Sequence, residues 1–441
     1  MTAPNEFFIK PGGTLRGKIP IPGDKSISHR ALILGAMATG ETRIDNFLES
    51  ADCLATLEAV RLLGIEIEQR MQLCVTIRSR GLLHLQPPPQ ILDCGNSGTS
   101  SRLLMGLLAG LPFESVLTGD ASLRRRPMQR VIGPLLRMGA KIDSPSGLLP
   151  LKIHGRRPLM PLRYDLPVAS AQVKSCLLLA GLQASGETWL KEPAMTRDHT
   201  ERMLALFGCE LLNKNGWLGI RGGQQPRAAA VHVPGDLSSA AFFIVAAAVQ
   251  PRAHIELECI GVNPGRDGVL KVLKAMGADI HLKNQRVLGN EPVADIEVRG
   301  GTLQAVDIGP EMVPLAIDEL PVLMIAAACA RGVSVLRGAA ELRHKESDRL
   351  QTMTAGLVKL GVAVEPREDG MRITGGGGFK GGVVDSFGDH RIAMAFSMAA
   401  VLADSPLQIR DCRNVDTSFP DFAKLARAAG LPIEVRESAG A

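Results

Sequence analysis

The alternation of apolar and polar positions along the chain follows one repeated motif. An amphipathic helix pattern ends at a glycine, and a short stretch of alternating apolar and polar residues follows. Six copies are legible. They close at Leu63-Gly64-Ile65-Glu66-Ile67, Met138-Gly139-Ala140-Lys141-Ile142 and Phe207-Gly208-Cys209-Glu210-Leu211, then at Met276-Gly277-Ala278-Asp279-Ile280, Leu360-Gly361-Val362-Ala363-Val364 and Ala429-Gly430-Leu431-Pro432-Ile433. In 267–276 the apolar residues recur at i, i+3 and i+4, and Gly277 can take the positive φ that ends a helix. The periodicity therefore predicts six α/β units in tandem.

A longer echo divides the six into two halves. Pro22-Gly23-Asp24-Lys25-Ser26 is matched by Pro234-Gly235-Asp236-Leu237-Ser238-Ser239, and both follow a β-prone segment and precede an Ala-rich helix pattern. The expected organisation is two domains of three units each, 24–234 and 1–23 plus 235–441. A length of 441 residues independently favours more than one core. The apolar runs 240–249 and 320–330 are too short to span a bilayer and read as core helices. The N-terminus, Met1-Thr2-Ala3-Pro4-Asn5-Glu6, has no basic segment followed by an apolar one, so no signal peptide is expected.

Composition narrows the function. Aromatic residues are only 3%, with Tyr164 the single tyrosine, which is too little surface for stacking bases. The net charge of +5 has no longer run than Arg124-Arg125-Arg126, so a nucleic-acid stripe is not expected and small anionic substrates fit better. The eight cysteines include no CxxC pair and read as reduced, mostly buried thiols of a cytoplasmic protein. No HxxxH, CxxC or close carboxylate cluster marks a metal site, and no nucleotide motif appears.

The basic residues gather where helices begin. Pro22-Gly23-Asp24-Lys25-Ser26-Ile27-Ser28-His29-Arg30 puts Lys25 and Ser26 at a helix start, with Arg30 on the same face as Ser26. Free N–H groups, a positive dipole end and two cations suit an anion, although a plain N-cap with solvated basic residues has the same spelling. Gly95-Asn96-Ser97-Gly98-Thr99-Ser100-Ser101-Arg102 leads into a helix expected over 103–108, and its small residues let a ligand approach the backbone. Leu123-Arg124-Arg125-Arg126-Pro127 offers guanidinium forks for phosphate or carboxylate, or else a solvated loop. Ser170-Ala171-Gln172-Val173-Lys174 opens a helix with short polar groups. Thr196-Arg197-Asp198-His199 caps another, with His199 read as a helix-face residue. Asp318-Glu319 precedes a strongly apolar helix. In Arg343-His344-Lys345-Glu346-Ser347-Asp348-Arg349 the spacing predicts Lys345 and Arg349 on one helix face with Glu346 beside them. A carboxylate among cations can move a proton. Gly388-Asp389-His390-Arg391 starts a helix over 392–398, whereas Gly-rich 375–382 reads as a flexible turn.

Taken together and in this order, PGDKSISHR, GNSGTSSR, RRRPM, SAQVK, MTRDHT, IDE, RHKESDR and GDHR resemble the EPSP synthases along nearly the whole chain, and the family's second class more than its first. The resemblance implies an α/β fold of two domains, each of three βαβαββ units (an inside-out α/β barrel), with the active site in the cleft between them. It implies transfer of the enolpyruvyl group of phosphoenolpyruvate to the 5-hydroxyl of shikimate 3-phosphate, with no cofactor and no metal, by a cytoplasmic monomer that engages neither membrane nor nucleic acid. Matched residue by residue, Lys25, Ser26, Arg30, Ser170, Ala171, Gln172, Arg197, Asp318 and Lys345 would contact shikimate 3-phosphate. Lys25, Gly98, Arg126, Gln172, Arg349 and Arg391 would contact phosphoenolpyruvate. The catalytic set would be Asp318, Glu346 and Lys25, with Asp318 taking the 5-hydroxyl proton and Glu346 protonating the methylene carbon. One position departs: where many relatives carry a lysine before Ser/Thr-Phe-Pro, this chain has Thr417.

The nearest enzymatic alternative is the sister transferase acting on UDP-N-acetylglucosamine, which carries a reactive cysteine in the loop that is Thr118-Gly119-Asp120-Ala121-Ser122-Leu123 here. A non-catalytic repeat scaffold is the alternative of another class, and it has no use for Asp318 and Glu346 among those cations.

Overall fold

A computed structural model gives the protein's fold and describes residues 5–70 and 73–437. Residues 1–4, on which most of the signal-peptide reading falls, lie outside the described residues. The chain divides into two compact bodies, one of 23–234 with 287–291, the other of 1–22, 235–286 and 292–441.

The six glycines do what the pattern asks of them. Gly64, Gly139, Gly208, Gly277, Gly361 and Gly430 all have positive φ, from +78° to +111°. At Gly277 the glycine N–H donates to Lys274 O and the next amide, Ala278, to Leu273 O, which is the paired closure of a Schellman end. Strands follow each glycine, namely Glu66–Arg70, Lys141–Asp143, Leu211–Lys214, Asp279–Leu288, Ala363–Arg367 and Ile433–Glu437.

Each such strand is the edge of a four-stranded sheet, and there are six sheets among the described residues. In one, Leu92–Asp93 runs parallel to Glu114–Thr118, which pairs antiparallel with Leu151–His154, which pairs antiparallel with Lys141–Asp143. The same sequence of pairings is built on Thr39–Asp45, Glu187–Lys191, Gly332–Leu336 and Leu407–Arg410. In the sixth, His254–Gly261 runs parallel to Arg16–Lys18 and antiparallel to Glu291–Arg299. Three sheets are closed by distant strands, the sixth by Arg16–Lys18. Ala230–His232 joins Thr39–Asp45, and Asn5–Ile9 lies between Leu407–Arg410 and Ile433–Glu437. Phe7 of that first strand also stacks on Phe422, with centroids 6.0 Å apart.

Behind the sheets, each body packs three helices that are buried nearly all round: Lys25–Met37, Gly98–Ala109 and Ala171–Gly181 in one, and Leu237–Ala248, Leu320–Cys329 and His390–Ala399 in the other. Helices without a polar face belong in a core. Shorter amphipathic helices, such as Gln129–Arg137 and Gly268–Ala275, cover the outside. Gly106 allows two inner helices to meet backbone to backbone, since a Cβ there would lie 2.2 Å from Cys176 O. Among the described residues no helix is long and apolar enough to cross a membrane.

Two local expectations change. The helix expected from Leu103 begins at Gly98, because Ser97 caps it by accepting from Ser100 N at 3.0 Å, so the GTSSR residues are its first turns. Lys345 is not helical. It lies between the 3-10 turn Ala340–His344 and the helix Arg349–Lys359, which Asp348 caps, so Lys345 and Arg349 share no helix face. The glycine-rich 375–382 stretch links strands Gly370–Gly375 and Gly382–Asp385, as a turn should.

Gly277→Ala, with no atom within 4 Å of the new Cβ, isolates backbone conformation and should cost about 1 kcal/mol. Gly106→Ala meets backbone instead and should cost more, about 1–3 kcal/mol. Urea unfolding of both variants checks the order.

Candidate active site

In the 23–234 body the three inner helices present capped N-termini. Asp24 accepts from Ile27 N at 2.9 Å, Ser97 from Ser100 N, and Ser170 from Val173 N at 3.4 Å. Lys25, in the first turn after Asp24, has its Nζ 2.5 Å from Asp52 of the neighbouring helix Ala51–Leu62. Arg30 is 4% exposed and held on three sides. Its Nη1 donates to Ser26 O (2.9 Å), Nε to Thr200 Oγ1 (2.7 Å) and Nη2 to Ser175 Oγ (2.8 Å). Burial, with Arg197 nearby, lowers its pKa to about 10, so it stays cationic at neutral pH. Arg197 Nη1 in turn donates to Ser26 Oγ at 3.4 Å.

The second and third helices are tied at the same end. Gln172 accepts from Arg102 Nη1 at 2.9 Å and donates to Thr99 Oγ1 at 3.0 Å. Arg126, 8% exposed, donates through Nη2 to Asn96 Oδ1 at 2.9 Å, and Asn96 donates to Asp120 at 2.6 Å. Gly98 is the close-approach position: a Cβ there would stand 2.7 Å from Arg102 Nη1 and 3.4 Å from Arg126 Nη1. Ala171 is the first residue of its helix, half-buried beside Ser170. Thus Lys25, Ser26, Arg30, Gly98, Arg126, Ser170, Ala171, Gln172 and Arg197 all lie at or beside three linked helix ends. His29 locks two of these helices from within. Its Nδ1 is 2.7 Å from Thr56 Oγ1 and 3.4 Å from Ser100 Oγ, and burial together with Lys25 and Arg30 drives its pKa well below 6.5.

The other body holds the carboxylates. Arg349 is 1% exposed and its Nε donates to Asp389 Oδ2 at 2.8 Å. Its Nη2 donates to Glu346 at 2.6 Å, and its Nη1 is 3.8 Å from Asp318. Burial opposes this charge, but Asp389, Glu346 and Asp318 outweigh it and hold the guanidinium above its usual range. Asp389 also caps the helix His390–Ala399 by accepting from Arg391 N at 2.9 Å. Arg391 Nη1 donates to Asp318 O at 3.1 Å, and its Nη2 is 3.8 Å from the Asp318 carboxylate. Lys345 keeps part of its surface exposed. Even so, desolvation lowers its pKa, with Asp318 opposing and Arg349 adding to the effect. Asp318, Lys345, Glu346, Arg349 and Arg391 therefore form one cluster.

Other residues of this machinery were not singled out as site members: Asp52, Asn96, Arg102, Asp120, Ser175, Thr200 and Asp389. So was Glu319, buried at 3%, which takes a short hydrogen bond from Ser238 Oγ. Asn96, Arg102, Thr200, Glu319 and Asp389 stand inside the motifs GNSGTSSR, MTRDHT, IDE and GDHR, so the motif boundaries carry a usable signal for them. Lys174 of SAQVK is structural, paired with Glu192 at 2.8 Å and Glu201 at 2.7 Å. His199 is buried against Glu291 at 2.8 Å rather than lying on an open helix face. Thr417 donates to Asn414 O at 2.6 Å. Away from both clusters, His254, Glu256 and Glu297 bring ligand-type atoms within 4.8 Å of one another. Glu297 is already engaged by Lys283 at 2.7 Å and Arg299 at 3.1 Å, which disfavours a cation there.

Asp389→Ala leaves Arg349 buried with its fully buried carboxylate partner gone, so urea unfolding should show a loss of about 3–5 kcal/mol. A pH prediction follows from His29. Its folded pKa lies below the unfolded value, so the stability it contributes is present above pH 6.5 and lost as pH falls below it. Unfolding from pH 7.5 to 5 should show wild type losing up to about 1.4 kcal/mol per pH unit more than His29→Gln.

Comparison with known proteins identifies the family. The family model for EPSP synthase (3-phosphoshikimate 1-carboxyvinyltransferase) matches residues 9–425. A 3-phosphoshikimate 1-carboxyvinyltransferase of Alkalilimnicola ehrlichii is 56% identical over 436 residues, covering 99% of this chain and 98% of its own. That of Halorhodospira halophila is 55% identical over 428 residues, covering 97% and 96%. A solved EPSP synthase from Acinetobacter baumannii superposes with a TM-score of 0.88 at 49% identity, covering 98% of this chain and all of that one. With a match of this extent and two three-unit α/β bodies of the same architecture, the chain belongs to the EPSP synthase family.

Proposed function

We propose that this protein joins phosphoenolpyruvate to shikimate 3-phosphate, forming the enol ether at the 5-hydroxyl and releasing phosphate, a step toward aromatic amino acids. The observation that carries the reading is the Arg349 cluster. Two carboxylates, Asp318 and Glu346, sit with Arg349, Arg391 and Lys345, so proton-transfer groups and anion-binding groups occupy one place. The free state of all eight cysteines suits a reducing, cytoplasmic compartment.

The two substrates are polyanions whose reacting atoms must be held a bond length apart. In this reading the helix ends of the 23–234 body supply Lys25, Ser26, Arg30, Ser170, Ala171, Gln172 and Arg197 to shikimate 3-phosphate, and Lys25, Gly98, Arg126 and Gln172 to phosphoenolpyruvate. The other body adds Asp318 and Lys345 to the first substrate and Arg349 and Arg391 to the second. Asp318 accepts the proton of the 5-hydroxyl as its oxygen attacks C2 of the enol, and Glu346 delivers a proton to the methylene carbon. Arg349, turning Nη2 toward the donor's carboxylate, releases Glu346 for that task. The tetrahedral adduct then loses phosphate by C–O cleavage while Glu346 takes a proton back from the methyl group, which restores the carbon–carbon double bond; the proton held by Asp318 leaves with the phosphate, whose charge Lys25 offsets. Thr417 supplies no cation, so the donor's charge is balanced by Lys25, Arg126, Arg349 and Arg391.

Phosphate release from both substrates, compared with UDP-N-acetylglucosamine as acceptor, tests the assignment. Turnover with shikimate 3-phosphate alone is expected, and turnover with the nucleotide sugar in its place would refute it. Arg126→Ala removes one charge-assisted contact, about 1.5–3 kcal/mol, and should raise KM for phosphoenolpyruvate by one to two decades with far less effect on shikimate 3-phosphate. Equal losses for both would contradict the role given to Arg126.

A further inference from the structure

The strands Asp279–Leu288 and Glu291–Arg299 form a long hairpin whose tip, 287–291, counts with the 23–234 body. At the tip Glu291 is 2% exposed, and its Oε1 lies 2.8 Å from Nδ1 of His199, which is equally buried. His199 Nε2 is also buried and makes no hydrogen bond, so Glu291 is the sole hydrogen-bond partner of this imidazole among the described residues. A carboxylate in that position accepts from Nδ1–H and fixes both tautomer and ring orientation.

The same tip grips the next turn. Arg202 Nη1 donates to Asn290 O at 2.9 Å, Asn290 Nδ2 donates to Arg202 O at 3.3 Å, and Arg202 Nε holds Asp198 at 2.8 Å. These contacts bracket a short segment with two further attachments. Thr200, next to His199, receives Arg30 Nε, and Arg197, two residues upstream, reaches Ser26 Oγ. The hairpin tip thus holds the backbone that carries Arg197 and the Thr200 hydroxyl that receives Arg30.

We infer that Glu291 is a positioning residue for shikimate 3-phosphate: its buried pair with His199 fixes the segment 197–200 so that Arg197 and Arg30 are aimed at the acceptor. This rests on the reading that those two arginines serve shikimate 3-phosphate. A carboxylate placed only for stability would have no reason to discriminate between the two substrates.

Steady-state kinetics of the full chain tests this. Glu291→Ala is expected to raise KM for shikimate 3-phosphate about ten-fold while KM for phosphoenolpyruvate and kcat stay within about two-fold. Glu291→Gln, whose amide oxygen still accepts from His199, should restore most of the loss. Arg197→Ala is the reference. A loss confined to shikimate 3-phosphate upholds the assignment of Arg197, and equal losses for both substrates remove that assignment and this inference with it. Where the assignment stands, a Glu291→Ala enzyme whose two KM values rise together, or do not move, overturns positioning by Glu291. If Glu291→Ala does not fold, Arg202→Ala cuts the tip loose at a more exposed position. The same selective rise is expected there, and its absence counts equally against the inference.

Discussion

The structure depends on what becomes of the N-terminal ends of helices that have no polar face. Six helices lie in the cores with almost every side chain buried, so only their ends can meet polar groups. Each end carries N–H groups without helical partners and a partial positive charge. Asp24, Ser97, Ser170, Asp236 and Asp389 satisfy part of that demand as caps. The rest is available to an anion. The chemistry-bearing motifs sit at these ends because the cores leave them no other place.

The two bodies handle buried cations differently. Around Arg30 the partners are neutral: two hydroxyls and a carbonyl, with Arg197 repelling it, and the guanidinium is left less stabilised than usual. Around Arg349 the partners are three carboxylates, and the charge is held more firmly than usual. The first arrangement gives Arg30 no directly bonded carboxylate, with Glu201, Asp24 and Glu291 offsetting only part of the effect of burial and Arg197. The second sets three carboxylates around one buried guanidinium.

Much of this was legible in the sequence, and the reason is locality. A helix stop at Gly277 is decided by Gly277 and its neighbours, so the six-unit plan could be read from six short stretches. What failed was decided at a distance or by a cap. Gly98-Thr99-Ser100-Ser101-Arg102 reads as loop by composition, yet Ser97 and the packing of the next helix make it the first turns of a helix. Ser175, Asp52 and Glu291 gave no signal as site partners, because each meets its partner across 27 to 145 positions of sequence. Asp389 was within reach: it stood in a quoted motif, but an acid between Gly388 and His390 looks like a cap, and it is a cap as well as Arg349's partner.

The placement of Asn5–Ile9 has a consequence for biosynthesis. That strand lies inside a sheet whose other members are Gly382–Asp385, Leu407–Arg410 and Ile433–Glu437, and Phe7 rests on Phe422. Asn5–Ile9 thus waits for strands made far later along the chain. The 23–234 body, by contrast, has its closing strand Ala230–His232 in hand when barely half the chain has been made. During translation, therefore, most of the 23–234 body can assemble early, while the body that carries the Arg349 cluster still lacks the strands that Asn5–Ile9 pairs with.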